Sequence, residues 1–141
     1  MAGATLGCVT RQRARPTILI VDDDSYVLEL VSRVLKPLGA TLLFATSAEH
    51  AREIAGSERL ALAIVDIGLR EGGLYGYTLS AELRALQATA GTQLPVIALT
   101  GQVPDEEAVA TAGITASVMK PFGLVEFRTL VAGQLAHAAE A

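Results

Sequence analysis

Apolar and polar positions alternate in blocks along this chain. Thr17-Ile18-Leu19-Ile20-Val21 is a continuous, β-branched-rich run, the pattern of a strand buried on both faces. After three aspartates, Val27, Leu30, Val31, Val34, Leu35 and Leu38 recur at helical spacing, and Gly39 is placed to cap that helix. A short run, Thr41 to Ala45, leads to a helix beginning near Ser47, a good N-cap, and ending near Gly56. Leu60 to Val65 predicts the next buried strand, followed by Asp66 and a glycine-rich loop through Gly76. A helix is expected from about Tyr77 to Thr89, with Leu79, Leu83 and Leu86 on one face. Pro95 opens the strand Val96-Ile97-Ala98-Leu99, which ends at Thr100-Gly101. Pro104-Asp105-Glu106-Glu107 has the proline and acids that favour a first helical turn. Ile114 to Met119 reads as the last strand, ending at Lys120-Pro121, and the final helix runs from about Leu124 to His137.

These elements make five strand–helix pairs, which imply an α/β fold: a parallel sheet with helices on both faces and right-handed crossovers. No internal repeat, linker or low-complexity segment interrupts the pattern. A length of 141 residues suits one domain with its own core, and an apolar fraction of 51% excludes a disordered chain. The longest apolar run, Leu60 to Val65, has 6 residues, against the roughly 20 needed to cross a bilayer, so no membrane span is expected. The single cysteine, Cys8, excludes an internal disulfide framework and a Cys-based zinc site, and a reducing, cytoplasmic setting is the natural expectation.

The net charge of −4 hides an asymmetry. Residues 1–16 hold Arg11, Arg13 and Arg15 and no acid, whereas the remaining 125 residues hold 8 bases and 15 acids, a balance near −7. An acidic domain of this kind argues against nucleic-acid binding. Residues 1–15 read as a flexible leader. Thr5-Leu6-Gly7-Cys8 is not a lipoprotein cleavage site, because seven preceding residues leave no room for a hydrophobic region.

Chemistry gathers at the strand ends. In a doubly wound sheet, ligands bind at the carboxyl edge of the strands. Asp22 and Asp23 follow Val21, Asp66 follows Val65, Thr100 follows Leu99 and Lys120 follows Met119. One such aspartate is explained as a helix cap; three carboxylates, a hydroxyl and a lysine at one edge are not. Two carboxylates about 4 Å apart repel by about 4 kcal/mol at an effective dielectric near 20. Three stay ionised together only beside a cation, and all-oxygen ligands with open positions suit Mg²⁺.

Ile18-Leu19-Ile20-Val21-Asp22-Asp23-Asp24, Ile64-Val65-Asp66-Ile67, Val96-Ile97-Ala98-Leu99-Thr100-Gly101 and Val118-Met119-Lys120-Pro121-Phe122 together resemble the receiver domain of two-component response regulators, over about residues 16–138. The resemblance implies a flavodoxin-like fold, a five-stranded parallel sheet in the order 2-1-3-4-5 with five helices; because the sequence stops just after the fifth helix, a receiver domain over residues 16–141 with no output domain is expected. It implies that Asp66 is the phosphoacceptor, taking a phosphoryl group from a phosphohistidine of a histidine kinase or histidine phosphotransfer protein. Asp23 and Asp66 would bind Mg²⁺ with the backbone carbonyl of Gly68, and Asp22 would hold metal-bound water. Lys120 and Thr100 would contact phosphoryl oxygens, Gly101 would leave room beside them, and the Lys120–Pro121 bond would be cis. The chain would then be a signalling domain rather than an enzyme, a monomer or weak homodimer that switches its binding to a downstream protein target.

Two departures from the family pattern stand out. Ser117 occupies the position, three before the lysine, where an aromatic residue is common. Arg70 and Leu74 stand where a proline and a glycine are usual, and Gly76 suggests a two-residue insertion. Two other readings compete: a haloacid-dehalogenase-like phosphatase with Asp22 as nucleophile, and a phosphorylation-independent binding module on a receiver scaffold. Asp24 is expected to be a helix N-cap, His50 and His137 to be solvated, and Phe122 and Phe127 to serve the core or an interface.

Overall fold

The computed structural model describes residues 15–69 and 75–140, with helix backbone alone over 137–140. Most of the leader, positions 70 and 74 and the side chain of His137 therefore lie outside the described residues. Five strands, β1 (Thr17–Val21), β2 (Thr41–Ala45), β3 (Leu62–Asp66), β4 (Val96–Thr100) and β5 (Ala116–Met119), alternate with five helices. The helices are α1 (Ser25–Leu35), α2 (Ala48–Ser57), α3 (Tyr75–Thr89), α4 (Glu106–Ala112) and α5 (Leu124–Glu140). All strand pairs are parallel, in the order β2-β1-β3-β4-β5. This is the doubly wound order expected.

Alternate side chains on the central strands feed two cores. Leu19, Val21, Ala63, Val65, Val96 and Ala98 pack with Ala51 of α2, Leu79 and Leu83 of α3 and Ala112 of α4. Ile18, Ile20, Leu62, Ile64, Ile97 and Leu99 pack on the other face with Val31 and Leu35 of α1 and Phe127 and Val131 of α5. A strand covered on both sides has no polar face, which is why β3 and β4 read as unbroken apolar runs.

The helix starts follow local chemistry. Asp24 caps α1 by accepting from the Tyr26 N–H, Ser47 caps α2 through the His50 N–H, and Asp105 caps α4 through Glu107 and Ala108. His50 is exposed, as expected. Gly39 closes the 3₁₀ turn Lys36–Leu38 that follows α1, in the left-handed conformation with φ of 71°. Phe127 is in the core, with the Phe122 ring centroid 4.6 Å from its own.

Three elements differ from the sequence expectation. β3 begins at Leu62 rather than Leu60, and β5 at Ala116 rather than Ile114. α3 begins at Tyr75, so Gly76 lies in its first turn rather than in the loop. There the helix runs against the end of β3 so closely that a Cβ at Gly76 would collide with the backbone of Ile67 and the carbonyl of Asp66. The buried face of α3 is also rotated: Leu86 is exposed, while Gln87 is buried. Gln87 donates to the carbonyls of Ala55 and Glu58 and accepts from the Leu60 N–H, so its polar end is satisfied in the core. Among the described residues, no helix is long and apolar enough to cross a membrane.

Candidate functional site

The acidic cluster sits where β1 and β3 end. Asp22 extends the β1–β2 ladder, its N–H donating to the Ala45 carbonyl at 3.1 Å, and its side chain is fully buried. Asp66 is the last residue of β3 and nearly as buried, and Asp23 is exposed at the rim. One carboxylate oxygen from each of Asp22, Asp23 and Asp66 lies within 4.8 Å of the others. The sheet therefore gathers the three carboxylates that the sequence reading joined.

Lys120 closes the cluster from the far strand. Its N–H continues the β4–β5 ladder onto the Thr100 carbonyl at 2.8 Å, and the next peptide bond, Lys120–Pro121, is cis as expected. The Nζ stands 3.2 Å from Asp22 Oδ2 and 3.5 Å from Asp66 Oδ1. Both Asp22 oxygens are engaged, since Oδ1 accepts from the Asp24 N–H at 2.9 Å. Asp66 Oδ1 also accepts from the Gly68 N–H at 3.0 Å.

The electrostatics follow from this crowding. Burial pushes the Asp22 carboxyl up from 3.8 to about 6, and the charge of Asp66 adds to it, against the lowering effect of the Asp24 N–H and of Lys120. For Lys120, burial alone would lower the ammonium, but the charges of Asp22 and Asp66 and the hydrogen bonds to them hold it above its ordinary value. Three carboxylates against one ammonium leave an excess of negative charge that a hard divalent cation would balance, and the donor set, all oxygen, fits Mg²⁺.

Thr100 lies at the same edge, but its hydroxyl is turned to its own loop. Oγ1 donates to the Gln102 carbonyl at 2.8 Å and accepts from the Gln102 N–H at 3.1 Å. Gly101 is exposed, and a Cβ there would meet nothing within 4 Å, so the space beside it is open. Ser117 is exposed on β5, on the same face as Met119. Gln102 and Tyr77 were not singled out from sequence. A threonine at the strand end, whose hydroxyl can bond the backbone two residues on, is the signal for the first, but Tyr77 has no local signal because its partner, the Asp105 N–H, lies 28 positions away.

The family model described as response regulator receiver domain matches residues 18–132. The sensor histidine kinase CheAY of Helicobacter pylori is 31% identical over 118 residues, covering 81% of this chain and 14% of that protein. The chain spans less than half the length of the curated relatives it matches. Among solved structures, a CheY-like response regulator receiver domain protein from Methanospirillum hungatei JF-1 superposes with a TM-score of 0.79 at 25% identity, over 90% of this chain and 98% of that one. The receiver domain of sensor histidine kinase PA1611 from Pseudomonas aeruginosa PAO1, with a magnesium ion coordinated in the active site cleft, superposes with a TM-score of 0.72 at 26% identity, over 87% of this chain and 99% of that one.

Proposed function

The chain belongs to the response regulator receiver family of two-component signalling, and from that premise we propose that it accepts a phosphoryl group on Asp66 from a phosphohistidine of a histidine kinase or histidine phosphotransfer protein. The observation that carries this reading is the convergence of Asp22, Asp23, Asp66 and Lys120, from three separate strand ends, on one small volume. A carboxylate oxygen of Asp66 bonds to phosphorus as the phosphorus–nitrogen bond to the donor imidazole breaks, and the imidazole keeps that electron pair. The product is an acyl phosphate.

Each neighbour has a role in that step. Lys120, already between Asp22 and Asp66, meets one phosphoryl oxygen with its positive charge. Thr100 donates its hydroxyl to another, and Gly101 keeps the adjoining space clear. Asp22, Asp23 and Asp66, with the Gly68 carbonyl, would hold Mg²⁺, which would supply the two positive charges that neutralise the incoming phosphoryl oxygens. Because both Asp22 oxygens are engaged and buried, Asp22 suits holding this arrangement rather than attacking phosphorus as a dehalogenase-like nucleophile would. The phosphorylated form then alters binding to a downstream protein.

The test is phosphorylation by acetyl phosphate, read on a phosphate-affinity gel. The wild-type chain should shift in Mg²⁺ and not in EDTA, and Asp66→Asn should not shift. The adduct should be cleaved by hydroxylamine. Undiminished labelling in EDTA, or an acid-stable label on Ser or Thr, would overturn the proposal, and no label on the wild type would favour the phosphorylation-independent module.

A further inference from the structure

The Thr100 hydroxyl carries one proton, and in this structure that proton is given to the Gln102 carbonyl. Donation to a phosphoryl oxygen therefore requires that the hydrogen bond to the Gln102 carbonyl be given up, which a loop held in place resists. What holds Gln102 in place is the short segment to Asp105, whose far end is tied down from another element. The backbone N–H of Asp105, the N-cap of α4, donates to the Tyr77 hydroxyl at 3.0 Å. Tyr77 is itself 7% exposed and belongs to the buried cluster that includes Val65, Leu79 and Ala98. Its neighbour Gly76 is pressed onto the backbone of Asp66 and Ile67. The first turn of α3 thus touches the end of β3 through one residue and the end of the β4–α4 loop through the next.

Resting on the proposed phosphoacceptor role of Asp66, we infer that Tyr77 is a positioning residue that restrains phosphoryl engagement by Thr100. Its hydroxyl fixes the loop in the conformation that keeps the Thr100 proton on Gln102. The loop between its two ties is exposed, with Val103 81% exposed, so little else restrains it. This gives the switch an aromatic element on α3 rather than on β5, the strand that carries Ser117. Because a ligand and a conformational restraint are reciprocally linked, loosening the restraint must tighten binding of a phosphoryl mimic.

The experiment measures binding of beryllofluoride with Mg²⁺ by NMR titration to the wild type, Tyr77→Phe, Thr100→Ala and the double variant. Phenylalanine keeps the buried ring, and the freed Asp105 N–H faces the open groove between α3 and α4, of about 430 Å³, where water can take it up. Tyr77→Phe should exchange its Asp105 amide faster and bind beryllofluoride about two- to tenfold tighter, the range one hydrogen bond spans. The gain should vanish in the Thr100→Ala background, because the effect runs through that hydroxyl. Equal or weaker binding by Tyr77→Phe, or a gain that persists without the Thr100 hydroxyl, would overturn the inference. A wild type that binds no beryllofluoride would instead overturn the phosphoacceptor reading itself.

Discussion

The strands that hold the acidic cluster and the flank beside them are built differently. β1 from Ile18 to Val21 and the whole of β3 are buried, with helices packed on both faces. On the flank, β5 alternates between half-buried and exposed positions, α4 has only 7 residues, and Val103 in the loop before it is 81% exposed. The contrast has a physical reason. Asp22 and Asp66 are held side by side against their repulsion, which demands strand ends that cannot relax apart. Thr100, by contrast, must change partner under the proposed function, and a segment with few buried contacts moves at low free-energy cost.

Stability should divide along the same line. Ile64→Ala, in the fully buried centre of β3, should cost about 2–5 kcal/mol, whereas Met119→Ala on the exposed face of β5 should stay within about 0.5 kcal/mol. Urea unfolding of the two variants measures the difference. Similar losses for both would mean that the flank is as tightly built as the centre.

The cluster itself should show in the pH dependence. Asp22 keeps its proton to about pH 6 in the fold but only to about 3.8 when unfolded, so the folded state binds more protons between those values. Stability from this group is therefore full below about pH 4 and lost as pH rises to about 6, on the order of 3 kcal/mol. Thermal melts without divalent ions should show this loss in the wild type relative to Asp22→Asn, which has no carboxyl to ionise. Added Mg²⁺ should offset it increasingly across the same window, because the ionised form is the ligand. A wild-type-minus-variant difference that stays flat from pH 4 to 6 would contradict the assignment.

The same division marks how much could be read from sequence. The central strands announce themselves because burial on both faces leaves unbroken apolar runs, and Asp22, Asp23, Asp66 and Lys120, at or just past the strand ends, converge because a parallel sheet aligns its carboxyl ends. The features that escaped depend on distant partners. Gln87 continues the spacing of Leu79 and Leu83 and is buried only because Ala55, Glu58 and Leu60 offer backbone partners to both ends of its amide. Leu86 looked like the core position because hydropathy cannot see those partners. Gly76 has the sequence signature of a loop, since its reason for being glycine is the backbone of Ile67, visible only once α3 is packed. The direction of the Thr100 hydroxyl and the Tyr77–Asp105 tie were hidden for the same reason.

Under the proposed function, rigid strand ends bind the phosphoryl group and the β4–α4 loop reads it out. Amide hydrogen exchange with and without beryllofluoride and Mg²⁺ tests it most directly. The largest changes should fall on Gly101 to Pro104 and the first turn of α4, with little change around Ser117 on β5. Changes centred on Ser117 and its neighbours, with Gly101 to Pro104 silent, would contradict it.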